Sequence, residues 1–200
     1  MSPFAGVLEI FDLLFPRLKK PDMTTSIDTY CGIDFHPFNP VPSMVVIEDI
    51  AHALSNLCRF SGHCREYYSV AQHSVLVSSI LPRELKLAGL LHDGSEAYLQ
   101  DICSPIKKSP QFEMYRTLEA GVEAVIAQKF GYTFPLDPRV KEADLILLST
   151  EMRDLMPYPL AKPMQPLKEI IIPMAPKEAK AAFLQAYYDI RHRENEDFRG

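Results

Sequence analysis

The sequence predicts an all-α protein, a helical bundle with at most a short β-hairpin near the N-terminus. Apolar residues recur at the three- and four-residue spacing of amphipathic helices along most of the chain. Prolines and glycines separate these segments, at positions where they end helices. A mixture of β-branched and aromatic residues that favours strands is found within residues 24–47. No internal repeat or second domain boundary is visible, so one bundle is expected.

The composition is that of an ordinary globular domain. The chain has 200 residues, of which 47% are hydrophobic and 24% charged. A net charge of -5 argues against a nucleic-acid surface but leaves room for a local basic pocket that takes a small phosphate. The four cysteines have no CxxC spacing, which favours reduced thiols in the cytoplasm.

The N-terminal segment is predicted to be an extension of a single domain. Residues 4–15 have helical spacing, and Pro16 ends the helix. Residues 1–22 would pack on the body or on a sister subunit, unless translation starts at Met23. The domain itself is assigned to residues 23–200.

Targeting signals do not alter this interpretation. Glu9 and Asp12 interrupt the first apolar stretch, which has no basic start and no small-residue cleavage site. No run is long enough to cross a bilayer. The prediction is a cytoplasmic protein without membrane partners.

The first elements are justified by local signals. A hairpin is predicted around Cys31-Gly32, followed by an irregular loop. A helix is predicted from Glu48 to about Phe60, where Gly62 breaks the run. Ser69 and Gln72 form a capping box that opens a helix to about Ile80.

The later elements follow from proline and glycine positions. A helix is predicted from near Arg83 that carries His92 and Asp93, and a loop with several prolines follows over 101–110. The next helix is capped by Ser109-Pro110 and closed by Gly131, and another begins at Asp137-Pro138 and runs to about Leu155. An extended segment over 156–176 then leads to a helix from Pro176 to about Arg191.

The sharpest local pattern is the end of the apolar run at His92, Asp93 and Glu96. On a helix, residues four apart share a face, so His92 and Glu96 would stand one above the other. A metal held by His92 and Asp93 would lie between them, with Glu96 close enough to act on water without being a ligand. A chance dipeptide is the alternative for this pattern taken alone.

Two further residues complete a possible coordination set. His73 is the interior polar residue of the helix that Ser69 opens. Asp144 precedes a strongly apolar run, where an unpaired buried carboxylate would be unfavourable. Two imidazoles and two carboxylates from three helices would hold a divalent cation and leave positions open for water and substrate.

These residues resemble the HD superfamily of metal-dependent phosphohydrolases. Its pattern is a separated His, an adjacent His-Asp pair and a distant Asp. The matching stretches are Arg59-Phe60, Tyr68–Ser74, His92–Tyr98, Asp101–Lys107 and Lys141–Asp144. They are similar to bacterial and prophage 5′-deoxynucleotidases and equally to phage dATP triphosphohydrolases. The resemblance covers roughly residues 23–190 and implies an HD-domain helical bundle.

The resemblance implies a role for each matching residue. The metal ligands would be His73, His92, Asp93 and Asp144. The catalytic acids would be Glu96, which handles the attacking water, and Asp101. The phosphate-binding cations would be Arg59, Lys107 and Lys141. Phe60 stands where relatives often have the tryptophan that packs on the sugar or base. His63 lies near the expected pocket entrance and is a further candidate for phosphate contact, with a surface position as the alternative.

The resemblance also implies an activity and partners. The expected reaction is hydrolysis of deoxynucleotide 5′-phosphates in nucleotide metabolism, from a dNMP or from a dNTP such as dATP. The cofactor would be a divalent ion, Co, Mn or Zn, with Mg a further option, and the protein would be a homo-oligomer. The alternatives are an HD phosphodiesterase or guanosine-tetraphosphate hydrolase, and a non-catalytic nucleotide sensor.

Overall fold

A computed structural model describes residues 26–158 and 164–197, with side chains as far as residue 193. The predicted helix over 4–15 and the extension over 1–22 lie outside the described residues. In chain order the elements are β1 Ile27–Asp28, β2 Asp34–Phe35, α1 Ile47–Asn56, α2 Val70–Ile80, α3 Lys86–Leu90, α4 Glu96–Leu99, α5 Ser104–Lys107, α6 Glu113–Phe130, α7 Pro138–Asp154 and α8 Pro176–Asp197. The predicted all-α class with a short hairpin is confirmed.

The hairpin lies where the sequence places it. β1 and β2 pair antiparallel with Ile27 opposite Phe35. Gly32 takes a left-handed φ of 75° in the connecting turn, a conformation that favours glycine. The side chain of Asp49 on α1 accepts a hydrogen bond from the Cys31 backbone N–H at 2.7 Å, which ties this turn to the bundle.

Helix α2 lies at the centre of the bundle. It contacts α1, α3, α7 and α8. The larger apolar core lies on its α1 and α8 sides and includes Ile50, Val70 and Phe183, all fully buried. A smaller core between α2 and α7 includes Val77 and Leu147. A side chain on α2 is therefore packed from several directions, as a rigid site requires.

Of the capping box predicted for α2, the Ser69 cap is confirmed and the contact from the Gln72 side chain is not. The Ser69 hydroxyl accepts a hydrogen bond from the Gln72 backbone N–H at 3.1 Å. The Gln72 side chain does not complete the box. It donates to the carbonyl of Ile172 and accepts from the N–H of Met174, each at 2.8 Å. It therefore fastens the extended segment that crosses the bundle before α8.

The predicted end of α1 near Phe60 is wrong, because the helix stops at Asn56. The chain then bridges back to the start of α2, with the Arg59 N–H donating to the Tyr68 carbonyl at 2.9 Å. Phe60 and Ser61 take left-handed φ values of 54° and 52°. Such values are uncommon for side-chain-bearing residues and often occur at functional sites.

The predicted helix through His92 and Asp93 is also wrong. α3 ends at Leu90 and α4 begins at Glu96, so the His-Asp pair lies in the turn between them. The His92 ring Nδ1 donates to the Gly89 carbonyl at 2.8 Å. A Cβ atom on Gly94 would lie 2.9 Å from the Leu91 carbonyl oxygen, so only glycine fits this tight turn without a shift.

The predicted cap of α6 by Ser109-Pro110 is wrong, because Ser109 makes no side-chain cap and the helix begins at Glu113 after a 3-10 turn. The other helix boundaries agree better with the prediction. Asp137 caps α7 by accepting from the Arg139 N–H at 2.9 Å, and Gly131 closes α6 with a φ of 78°. The loop over 101–110 contains the short helix α5, and α8 continues beyond Arg191 to Asp197. In the described part of the chain, no helix is long and apolar enough to span a membrane.

Candidate metal centre

A cleft of about 590 Å³ opens above the turn between α3 and α4. Its lining includes the predicted site residues Arg59, Phe60, His63, Asp93, Glu96, Asp101, Lys107, Lys141 and Asp144. The predicted ligands His73 and His92 lie behind this lining and contact it through Asp93 and Asp144. The predicted site residues from Arg59 to Asp144, 85 positions apart in the sequence, thus line one cleft.

His73, His92 and Asp93 form a group that could hold a metal ion. One ligand atom from each lies within 4.8 Å of the others. The two Nε2 atoms are 3.3 Å apart, and the Asp93 carboxylate lies 3.3 Å from His92 Nε2 and 3.7 Å from His73 Nε2. Both imidazoles therefore direct the same ring nitrogen toward one point.

Asp144 faces this group from α7. Its Oδ1 lies 3.2 Å from His73 Nε2, and its Oδ2 accepts from Lys141 Nζ at 2.5 Å. Burial acts to raise the pKa of Asp144, but the hydrogen bond and charge of His73 outweigh it, so the pKa is well below its ordinary value. The carboxylate is accordingly ionised and turned toward the imidazoles.

Glu151 is the main site residue that the sequence interpretation missed. This fully buried carboxylate lies two turns after Asp144 on α7. Its Oε1 accepts from His73 Nδ1 at 2.6 Å and from the Tyr68 hydroxyl at 2.9 Å, and its Oε2 accepts from Arg59 Nε at 3.2 Å. A seven-residue spacing from Asp144 on one helix face was the available signal.

The buried charges at the base of the cleft balance one another. We call Arg59, Tyr68, His73 and Glu151 the base. Burial and the charge of Arg59 would lower the pKa of His73, but Glu151 and Asp144 raise it to about 9. Burial would raise the pKa of Glu151, but Arg59 and His73 keep it below its ordinary value. By contrast, burial lowers the pKa of His92.

Glu96 is a buried acid with spare hydrogen-bonding capacity. Its side chain lines the cleft although the residue is only 6% exposed. Its Oε2 has no hydrogen-bond partner among the described residues. Burial, reinforced by the charges of Asp93 and Asp101, raises its pKa well above the ordinary value. Such an oxygen is suited to meet a water molecule or a ligand.

Each predicted phosphate-binding cation already has a carboxylate partner. Arg59 binds Glu151, and its Nη1 lies 3.5 Å from Asp93 Oδ2. Lys107 Nζ lies 2.5 Å from a Glu119 oxygen, and Lys141 Nζ is held by Asp144. The three cations therefore lie at the cleft, as predicted. Their contact with phosphate stays a prediction.

The rim and one wall of the cleft complete its surface. We call His63, Asp101, Lys107 and Lys141 the rim. His63 and Asp101 are exposed there. The wall contains Ile102, Cys103, Leu148, Met156 and Tyr158, none of which was predicted as a site residue, although Ile102 and Cys103 lie in the matching stretch Asp101–Lys107. All four cysteines of the chain lie in the described part and are free thiols, as predicted.

Comparison with known proteins places this all-α chain, with its candidate metal centre, in a family. It is 40% identical over 171 residues to the uncharacterized protein YfdR of Escherichia coli, covering 82% of this chain and 94% of that protein. An uncharacterized protein of Rhodobacter capsulatus is 35% identical over 114 residues, 52% of this chain and 58% of that protein. No family model matches the chain. The chain belongs to the YfdR family.

Proposed function

We propose that this protein is an HD-type, metal-dependent phosphohydrolase that acts on the 5′-phosphates of deoxynucleotides. The observation that carries the proposal is the group formed by His73, His92 and Asp93 behind a cleft that also contains Glu96. Potential metal ligands, an acid with a raised pKa and three cations converge on a space large enough for a nucleotide.

The donor set fits a divalent cation. Two imidazole nitrogens and the Asp93 carboxylate would be joined by Asp144, whose Oδ1 already faces His73. Mixed nitrogen and oxygen ligands suit Co²⁺, Mn²⁺ or Zn²⁺ better than Mg²⁺, which prefers oxygen ligands. When bound, such an ion supplies a lowered pKa for water and screens a phosphoryl oxygen.

Glu96 is the proposed proton carrier. In its ionised form it would accept the proton of the attacking water as the new oxygen–phosphorus bond forms. It would then return a proton to the 5′ oxygen as the phosphorus–oxygen bond breaks. Burial and the charges of Asp93 and Asp101 raise its pKa, which favours both roles near neutral pH.

The cations and the apolar wall would bind the rest of the substrate. Arg59, Lys107 and Lys141 would exchange part of their carboxylate contacts for phosphoryl oxygens. Phe60 and the wall that includes Leu148 offer apolar surface for the sugar and base. Both a monophosphate and a triphosphate suit this reaction, because each is cleaved at the phosphorus bonded to the 5′ oxygen.

The test is hydrolysis by purified protein across deoxy- and ribonucleoside mono- and triphosphates with Mn²⁺, Co²⁺, Zn²⁺ and Mg²⁺ in parallel. We expect metal-dependent release of phosphate from dAMP or of triphosphate from dATP. The same assay is run with cyclic dinucleotides and guanosine tetraphosphate, and turnover of these instead would identify the other HD reactions. Nucleotide binding without turnover would identify a sensor. Light scattering of the same sample tests the proposed homo-oligomer.

A further inference from the structure

We propose that Glu151 is a positioning residue that orients both a metal ligand, His73, and a phosphate-binding cation, Arg59. The inference rests on the metal centre of the proposed function. It adds a residue that touches neither the ion nor the substrate but determines how two groups present themselves to them.

The first half of the argument concerns the His73 ring. A carboxylate oxygen only accepts hydrogen bonds, so the 2.6 Å contact with Glu151 Oε1 places the hydrogen of the neutral ring on Nδ1. In the metal-free protein Nε2 lies 3.2 Å from Asp144 Oδ1, and the raised pKa of His73 keeps a hydrogen on this nitrogen as well. Metal binding would release that hydrogen and leave the lone pair on Nε2, the atom that faces His92, Asp93 and Asp144. Glu151 thereby selects the tautomer and the ring orientation that a cation requires.

The second half concerns the Arg59 guanidinium. Its Nε donates to Glu151 Oε2 at 3.2 Å, and its Nη2 lies 3.1 Å from the same oxygen, which fixes the plane of the group. Its Nη1 remains turned toward the cleft, 3.5 Å from Asp93 Oδ2. One carboxylate therefore uses its two oxygens for two different tasks.

The surroundings of Glu151 make this arrangement rigid. The carboxylate is completely buried, and the Tyr68 hydroxyl donates to the same oxygen that binds His73. It also lies on α7, the helix that carries Asp144, so the two acids approach His73 from a common support. A movement of Glu151 would alter His73 and Arg59 together.

The test compares metal binding by the wild type, Glu151→Gln and the control Glu142→Gln, the same change at an exposed position of α7. Co²⁺ is titrated into each protein and followed by its visible absorption, with the melting temperature recorded. Glutamine preserves the shape but presents an amide N–H₂ to either His73 or Arg59. We expect Glu151→Gln to weaken Co²⁺ binding about 10- to 100-fold, and Glu142→Gln to change it less than about threefold.

A second measurement uses the wild type alone and does not depend on the variant folding. In the Zn²⁺-loaded protein, nitrogen-15 NMR of the histidine rings should find the His73 hydrogen on Nδ1. A hydrogen on Nε2, or a folded Glu151→Gln protein with wild-type Co²⁺ affinity and spectrum, would overturn the inference.

These outcomes separate the inference from the proposed function. If the wild type binds Co²⁺ more tightly than Glu151→Gln but hydrolyses no phosphate ester, the positioning role stands and the hydrolase proposal fails. If the wild type hydrolyses deoxynucleotides and Glu151→Gln binds Co²⁺ equally well, the reverse holds. A wild type that binds no divalent ion overturns both.

Discussion

At the base of the cleft the polar groups form one buried network around Glu151, whereas at its rim each lysine has one carboxylate partner. Glu151 is completely buried and bonded to three residues, while Lys141 is 71% exposed and bonded to Asp144. Breaking one partner in a buried network leaves a charge unpaired, which is strongly unfavourable. An exposed ion pair contributes about 0–1 kcal/mol and can exchange partners. The base is therefore built to stay fixed, whereas the rim lysines can exchange partners, as the proposed contact with phosphate would require.

The largest effect is expected from removing a metal ligand beside the base. His92→Ala should lower metal content to background and lower kcat/KM about 1000-fold or more, because several kcal/mol of charge stabilisation is lost. Elemental analysis and steady-state kinetics measure both. His36→Ala, a partly exposed histidine of the N-terminal region, is the control and should retain metal and activity. Full activity of a metal-free His92→Ala protein would exclude this centre from the reaction.

The next largest effect tests the acid at the cleft floor. Glu96→Gln should lower kcat about 100-fold or more while metal affinity stays within a few-fold of wild type. In the wild type, the rate should fall as pH falls through the raised pKa of Glu96, because the protonated acid no longer accepts a proton. The variant should lose this acidic limb. Glu142→Gln, an exposed change on α7, is the control; a Glu96→Gln enzyme with wild-type kcat would refute the proton-carrier role.

A smaller effect is expected at the rim. Lys141→Ala should raise KM about tenfold with little change in kcat, since an exposed cation supplies binding more than catalysis. Raising the salt concentration should reduce the difference from wild type. The melting temperature should change little, because exposed substitutions usually alter stability by about 0.5 kcal/mol or less. A large loss of stability would place Lys141 with the base instead.

The smallest effect concerns stability beside the rim. Burial and the charge of Glu119 raise the pKa of Glu123 to about 7. The Glu123 carboxyl therefore binds its proton more tightly in the folded protein than in the unfolded chain. This protonation stabilises the folded state fully below the unfolded pKa of about 4.5, and the stabilisation is lost as the pH rises through about 7. Glu123→Gln should gain about 1 kcal/mol of stability over wild type at pH 8 relative to pH 4. Thermal unfolding at both pH values measures this, and an equal difference at both would contradict it.

Local signals explain which parts of this fold were predictable. The cap at Ser69, the left-handed Gly131 and the Asp137 start depend on neighbouring residues, and all three are observed. The break before His92 was missed because the apolar run from Leu87 to Leu91 continues the helical pattern up to the His-Asp pair. In the structure the Gly89 carbonyl accepts the His92 ring hydrogen, and the chain turns at Gly94.

The candidate site was predictable in its residues more than in its connections. Asp144 stood out because a carboxylate before an apolar run needs a partner, and it has one in His73. Glu151 comes after that run, seven residues beyond Asp144 on the same helix, and its importance depends on how α7 packs against α2. Likewise, nothing local indicates that Arg59 would be held by a carboxylate 92 positions away.

The Gln72 side chain has a practical consequence for the study of this protein. It holds the Met174 N–H at 2.8 Å, and the next residue along α2 is His73. Deuterium can replace the hydrogen at position 174 only when that contact opens. The hydrogen–deuterium exchange rate of a peptide that contains Met174 thus reports how often the contact with Gln72 opens. Comparing this rate with and without an added cation shows whether metal binding stabilises the turn of α2 that carries Gln72 and His73.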